Sequence, residues 1–344
     1  MGGFETALQA GLEQIIDYLT AHTWNSIFPA FFIAGAIAVF LSKDAVLKYF
    51  SSNTKPYISY SIASVSGVIL AVCSCVIIPL FAGIRRRGAG IGPATTFLYS
   101  GPAINIMALA LTARVLGYEI GLARAVMAIT MSIAIGIIMS LIFRGEEQSK
   151  KELKLAEGGD GGTKWLTFLF VTMLVTLLIG TASIALEIKI PMMLVFTVLT
   201  GVIAFRWMDR GEVRLWGQET FSLFKMIFPL LLIGVFAAGM IRVLMPPEYI
   251  VEYLGSNSII SNLTASVIGA FMYFATLTEV PIVESLVSLG MHKGPELSLL
   301  LAGPALSLPN MLAIRQVLGT KKTLTYVSLV IMFATISGIA YGSL

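Results

Sequence analysis

Two cysteines stand two residues apart and are the side chains best suited to hold a soft ligand. Cys73 and Cys75 come shortly before Pro79, which lacks its own amide donor and clashes with the Cys75 carbonyl in a helix. Side chains two residues apart share one face only in extended backbone, so we expect an unwound turn at 73–75 where both sulfurs converge. Thiolates select thiophilic ions such as Cu(I), Zn or trivalent arsenic and antimony. The alternative is that two small polarisable side chains pack a helix contact.

Two carboxylates lie inside an apolar segment. Glu279 stands two residues before Pro281, and Glu284 follows in the same segment. An ionisable group at membrane depth is costly, so it faces a cavity or the interior of a helix bundle. We expect Glu279 to serve proton coupling or substrate pairing. Glu284 is a second candidate for coupling, with a surface ion pair as its alternative role.

Glycine-proline pairs interrupt two further apolar segments. Such breaks free backbone carbonyls and amides that need partners in protein or in a wet cavity. Amide and hydroxyl side chains follow each break and would complete a polar substrate site, although single membrane Asn and Ser residues also bond helices together. Besides the cysteines, Pro79 and Glu279, the expected site contains Gly101, Pro102, Asn105, Thr278, Gly303, Pro304, Ser307 and Asn310.

The segments that position these residues form an internal repeat in the sequence. Residues 57–117 and 259–319 share their helix breakers under a shift of 202 residues, without a gap. Repeated breaks inside apolar segments are typical of transporters built from two homologous halves. The copies differ in their chemistry, because the cysteines of the first copy have no counterpart in the second. The matched pairs are Pro79 with Pro281, Gly88 with Gly290, Pro93 with Pro295, Gly101-Pro102 with Gly303-Pro304, and Gly117 with Gly319.

The composition requires a membrane. The chain is 57% hydrophobic and 12% charged, with a mean hydropathy of +0.88, which excludes a soluble fold. An α-helix makes its backbone hydrogen bonds internally, as lipid requires, so we expect an all-α polytopic integral membrane protein with discontinuous helices. About ten spans (nine to ten) fit the usual span length. They are 25–42, 57–84, 93–116, 119–143, 165–187, 190–206, 221–244, 259–288, 295–317 and 322–342.

The predicted domains follow the repeat. Residues 1–143 form the first repeat, which opens with an amphipathic helix expected to lie in the membrane interface. Residues 144–164 are a charged, glycine-rich linker outside the membrane. Residues 165–206 form an inserted helical hairpin, and residues 207–344 form the second repeat. Whether the halves are parallel or inverted stays open, as does the side of the N-terminus.

The basic residues cluster in short connections, as at Arg85-Arg86-Arg87, which indicates membrane orientation and no nucleic-acid partner. The two cysteines are only two residues apart and cannot crosslink distant parts of the chain, which rules out a disulfide framework. The sequence contains neither HExxH nor a Walker A pattern. We therefore expect a non-enzyme without cofactors, whose partners are membrane lipid and a small solute.

The stretch from Cys73 through Asn105, CSCVIIPLFAGIRRRGAGIGPATTFLYSGPAIN, resembles the signature of the predicted permease family that includes the ArsP-type organoarsenical efflux permeases. The resemblance covers most of the chain and implies a polytopic inner-membrane permease. It further implies export of trivalent arsenicals or related thiophilic solutes, with Cys73 and Cys75 as ligands. Pro79 and the motif residues Gly101, Pro102 and Asn105 are implied to surround them.

The predicted function is a multi-pass permease of the cell (inner) membrane. We expect a secondary transporter that exports a small thiophilic solute, such as trivalent (organo)arsenicals, from a site at the paired helix breaks near the bilayer midplane. A membrane thiol-disulfide oxidoreductase is one alternative, since two close cysteines also serve redox exchange. A channel-like subunit is the other. The oligomeric state stays open.

Overall fold

The chain is all-α wherever its structure is described. A computed structural model describes residues 2–20, 28–40, 55–70, 74–86, 88–144, 164–181, 186–244, 253–272 and 279–344. No strand occurs within these ranges. The helices are α1 (Gly2–Tyr18), α2 (Phe28–Phe40), α3 (Pro56–Leu70), α4 (Ser74–Arg86), α5 (Ile91–Ala103), α6 (Ile106–Val115), α7 (Tyr118–Ile142), α8 (Lys164–Thr181), α9 (Leu186–Trp207), α10 (Arg210–Leu244), α11 (Ile259–Phe271), α12 (Glu279–Ser288), α13 (Lys293–Ala302), α14 (Leu308–Leu318) and α15 (Thr320–Gly342).

Several helices are long and apolar enough to cross a membrane. In the described residues there are four: Tyr118–Ile142, Glu187–Trp207, Arg210–Ala237 and Thr320–Gly342. The pair formed by α5 and α6 counts as a fifth when taken together, and it bends by 44° at its break. Many large apolar side chains on these helices are exposed, as lipid contact requires. The chain is therefore a multi-pass membrane protein.

Four of the predicted spans each contain two helices. The segment 57–84 is covered by α3 and α4, and 93–116 by α5 and α6. In the second half, 259–288 is covered by α11 and α12, and 295–317 by α13 and α14. Whether each pair crosses the membrane once or turns back decides the number of spans, so the count of ten stays a prediction.

The amphipathic helix α1 packs against α10. Gly11 and Gly239 allow this close approach, because a Cβ on Gly239 would lie 2.8 Å from the Ala10 carbonyl and 3.0 Å from the Cα of Gly11. Leu8 and Leu12 remain exposed on the other face. The helix expected to lie in the membrane interface is thus held to the body of the protein through small residues.

The inserted segment 165–206 corresponds to α8 and α9, which contact each other, and α8 also contacts α2. The linker 144–164 lies outside the described residues apart from its two ends. In the basic cluster Arg85-Arg86-Arg87, Arg86 pairs with Glu219 of α10. This half-exposed ion pair ties α4 to α10, and such pairs contribute little energy.

One helix crossing is built twice, at positions 202 residues apart. Where α5 crosses α7, Gly92 faces Gly136, and where α13 crosses α15, Gly294 faces Gly338. A Cβ on any of these glycines would lie 2.5–2.9 Å from the carbonyl oxygen of its partner. In the first crossing the Thr96 hydroxyl donates to the Ser132 carbonyl over 3.0 Å. The equivalent bond of the second crossing runs from the Ser298 hydroxyl to the Ala334 carbonyl over 3.1 Å.

The shift of 202 residues also relates glycines that share an unusual backbone conformation. Gly88 and Gly290 have φ of 93° and 109°, and Gly117 and Gly319 have φ of 116° and 83°. Side chains strongly disfavour this region of positive φ, whereas glycine enters it freely. The turns before α5 and α13, and those before α7 and α15, therefore require glycine in both halves.

We expect Gly338→Ala to destabilise the protein, because the added methyl group collides with Ser298 and with the Gly294 carbonyl. Overpacking of this kind costs about 1–3 kcal/mol. Thermal unfolding of the detergent-solubilised protein measures the loss. Gly201→Ala is the matched control, since a Cβ there meets no atom within 4 Å. The packing interpretation is wrong if both variants unfold at the same temperature.

Candidate functional site

The two helix breaks meet in the core of the protein. Helix α5 ends at Ala103 and α13 ends at Ala302, so each stops within its apolar segment. Tyr99, in the last turns of α5, donates its hydroxyl hydrogen to the Leu301 carbonyl over 3.1 Å. Tyr99 is fully buried, and its position is equivalent to that of Leu301 in the predicted repeat. The carboxyl ends of the two broken helices are therefore in direct contact.

The first break falls slightly later than the Gly-Pro pair suggests. Gly101 and Pro102 both lie within α5, and the interruption is at Ile104 and Asn105. Pro102 removes only its own hydrogen bond, so the helix continues until Ala103. Asn105 is buried, with 3% of its surface exposed. A Cβ on Gly101 would lie 2.6 Å from Cδ1 of Ile77, so this glycine allows α4 to approach the break closely.

The second break is a longer turn. Gly303 caps the end of α13. The Ser307 hydroxyl caps the start of α14 by accepting a hydrogen bond from the backbone N–H of Asn310 over 3.4 Å. Pro304 lies between them and is buried. The Asn310 side chain is 2% exposed, yet its Oδ1 has no hydrogen-bond partner among the described residues. A buried acceptor without a partner is uncommon, which makes Asn310 a candidate site residue.

A buried ion pair lies beside these breaks. Arg124 of α7 contacts Glu279 at the start of α12, with 3.0 Å between Nη2 and Oε2. The two side chains are 0% and 1% exposed. The guanidinium also donates through Nη1 to the Thr112 hydroxyl of α6 over 2.8 Å. Glu279 is the first residue of α12, where the positive end of the helix dipole favours a carboxylate.

The ion pair joins the two predicted halves. Arg124 and Thr112 belong to the first half and Glu279 to the second. Helix α12 also contacts α6, and α14 contacts α4. Two helices of the second predicted half therefore pack against two helices of the first. A change in the relative position of the halves therefore acts directly on the buried charges.

The prediction from sequence missed Arg124. The signal was present, because Arg124 is an ionisable residue within the predicted span 119–143, and this argument singled out Glu279. Its equivalent in the second half is Tyr326, which is buried and whose hydroxyl has no partner among the described residues. The equivalent of Glu279 is Ile77, so neither charge of the pair has a charged counterpart at the matching position of the other predicted half.

The remaining predicted site residues are placed unevenly. Pro79 is buried within α4. Cys73 and Thr278 lie outside the described residues. The unwound turn expected at 73–75 is wrong for residues 74 and 75, because α4 begins at Ser74 and its first turn includes Cys75. Glu284 is exposed on α12, outside the buried cluster.

The described part of the chain contains no group of three or more His, Cys, Asp or Glu side chains placed to hold a metal ion. A cavity of about 340 Å³ lies elsewhere, between α2, the α8–α9 pair and α10, and it includes no residue of the predicted site. Its lining is mainly apolar. The helix breaks and the ion pair are therefore the candidate site.

We expect Arg124→Met alone to destabilise the protein strongly, because it leaves the Glu279 carboxylate buried without a counter-charge. Breaking a buried pair on one side costs about 3–5 kcal/mol. The double variant Arg124→Met with Glu279→Met should recover most of that loss. Thermal unfolding of both variants in detergent measures the difference. Equal stability of the single and double variants would contradict the pairing.

Comparison with known proteins identifies the family of this chain. Residues 9–343 match the family ArsP_1, described as a predicted permease. The chain is 48% identical to UPF0718 protein MJ0584 of Methanocaldococcus jannaschii over 347 residues, which cover 96% of this chain and 94% of that protein. It is 23% identical to UPF0718 protein YraQ of Escherichia coli over 314 residues, 91% of this chain and 75% of that protein. No solved structure matches. The chain therefore belongs to the ArsP_1 family of predicted permeases.

Proposed function

We propose that this chain is a secondary transporter of the inner cell membrane that exports a small thiophilic solute, such as a trivalent organoarsenical. The observation that carries the proposal is the meeting of two interrupted helices in a buried, polar part of the protein, where Tyr99 bonds to Leu301 over 3.1 Å. Transporters commonly bind their substrates where discontinuous helices of two repeats meet. Membership of a permease family supports the transport function.

The breaks supply the polar groups that such a site needs. The last four carbonyl groups of a helix receive no hydrogen bond from within that helix, and lipid offers them no donor. The buried Oδ1 of Asn310 adds a side-chain acceptor beside the second break. Asn105, Ser307 and the backbone of the two Gly-Pro segments complete the proposed lining. These groups suit an uncharged polar solute that leaves water completely.

The proposed soft ligands are Cys73 and Cys75. The start of α4 at Ser74 places Cys75 at a helix terminus, and α4 contacts both α5 and α14. The thiols are thus proposed to lie near both breaks. Two thiols can replace the two exchangeable hydroxyls of a methylated trivalent arsenic acid, releasing two water molecules, and trivalent arsenic favours such soft sulfur ligands. Tight capture by both thiols would slow release, so transport favours contact with a single thiol at a time.

Glu279 is the proposed proton-coupling residue. Its carboxylate is buried at the start of α12 and bridges the two halves through Arg124. A change of its protonation would release the ion pair and so alter the contact between the halves. Glu284 was a second candidate, but its exposure on α12 favours Glu279 for this role.

We expect Cys73→Ser and Cys75→Ser each to reduce the transport of methylarsonous acid at least about tenfold, the change that corresponds to losing about 1.4 kcal/mol of binding. Uptake into inside-out vesicles, measured as arsenic content, tests this. Ser74→Ala is the matched control and should transport normally. Normal transport by both cysteine variants would remove the thiols from the site.

A separate measurement tests coupling. Proteoliposomes with an imposed pH gradient should transport methylarsonous acid faster than those without one, and Glu279→Gln should abolish that difference because its side chain cannot exchange a proton. Glu119→Gln, an exposed residue in the first turn of α7, is the control. Coupling does not involve Glu279 if the variant responds to the gradient like the wild type.

A further inference from the structure

The ion pair of Arg124 and Glu279 uses only part of its bonding capacity. A guanidinium and a carboxylate often pair through two parallel hydrogen bonds. Here one contact joins them, between Nη2 and Oε2, while Nη1 donates to Thr112. The Arg124 Nε and the Glu279 Oε1 are buried and have no hydrogen-bond partner among the described residues. The site thus presents one free donor and one free acceptor on oppositely charged partners.

These free atoms restrict the charge of a ligand. A bound anion would leave the site with a net negative charge, and a bound cation would leave it positive. Either net charge, buried without a counter-ion, costs several kcal/mol by order of magnitude. An uncharged group keeps the site neutral. It must also accept a hydrogen from Arg124 Nε and donate one to Glu279 Oε1, and a hydroxyl does both through one oxygen.

We propose that the Arg124–Glu279 pair is a binding site for a hydroxyl group of a small uncharged solute. The solute's O–H donates to Oε1 of Glu279, and its oxygen accepts from Nε–H of Arg124. Each new bond involves a charged partner that is buried, where an unmet donor or acceptor is especially costly. The solute therefore binds by completing the pair, and the ion pair stays intact.

The surroundings suit this role. Tyr99 lies within electrostatic range of both Arg124 and Glu279, and its hydroxyl is engaged by Leu301 and Met131. Tyr326 lies within range of Tyr99 and has a buried hydroxyl without a partner among the described residues. A second buried hydroxyl, without a partner among the described residues, therefore lies in the neighbourhood of Tyr99.

This inference rests on the proposed function and specifies its substrate class. A methylated trivalent arsenic acid carries two hydroxyls. One thiol attacks arsenic, so an S–As bond forms, an As–O bond breaks, and water leaves with the thiol proton. The second hydroxyl remains on arsenic and binds the ion pair. A single thiol and the ion pair thus recognise different parts of the same small molecule.

Equilibrium binding to purified protein in lipid nanodiscs tests the proposal, with methylarsonous acid and methylmercury as probes. Methylmercury uses its one exchangeable position to bind a thiol, so its bound form carries no hydroxyl. In the double variant Arg124→Met with Glu279→Met, we expect about ten- to hundredfold weaker binding of methylarsonous acid, as for loss of hydrogen bonds to charged groups. Methylmercury should bind that variant like the wild type.

Arg124→Lys is a second variant that keeps the positive charge but removes Nε. It should also weaken the binding of methylarsonous acid and spare methylmercury, while Glu119→Gln should affect neither. The proposal is overturned if the double variant and Arg124→Lys bind methylarsonous acid like the wild type, or if the wild type does not bind it. If the ion-pair variants weaken binding but Cys73→Ser and Cys75→Ser do not, the hydroxyl site stands and the thiol site fails.

Discussion

The bilayer core supplies no hydrogen-bond partners, and this constraint governs the structure. Every backbone group at that depth must bond within the protein, which explains why the described residues form helices throughout. An interrupted helix is costly under this constraint because its end groups need partners of their own. The protein buries its two breaks against each other, and the bond from Tyr99 to Leu301 joins them. A polar region inside an apolar protein results from that burial.

The cost of burying a charge explains why the charged residues are paired, and the pair joins the two predicted halves. Arg124 and Glu279 are both buried, and burying either charge without the other would be costly. Their contact links helices α7 and α12, while Thr112 adds α6 to the cluster. The equivalent positions carry Tyr326 and Ile77, which are uncharged. Neither charge is therefore repeated at its matching position, just as the two cysteines occur only in the first predicted copy.

Close packing through glycine is the other repeated feature. Gly92 with Gly136, and Gly294 with Gly338, bring helix backbones within contact at equivalent crossings. Lipid is as apolar as leucine, so helices associate through close packing and interhelical hydrogen bonds more than through hydrophobic burial. Two such crossings hold the broken helices α5 and α13 against the long helices α7 and α15. The breaks are thereby fixed to rigid elements.

The sequence by itself determined the helical membrane class, the repetition of helix breakers at a shift of 202 residues and the approximate positions of the breaks. Hydropathy and Gly-Pro pairs act locally, so they can be read without the tertiary structure. It identified Glu279 from the cost of a charge at membrane depth. The tertiary structure decided what pairs with it, since Arg124 lies 155 residues earlier in the chain and no local pattern joins the two. It also decided that α5 continues through Pro102, because one missing amide does not end a helix whose other bonds are made. Contacts between distant helices depend on packing, which periodicity does not encode.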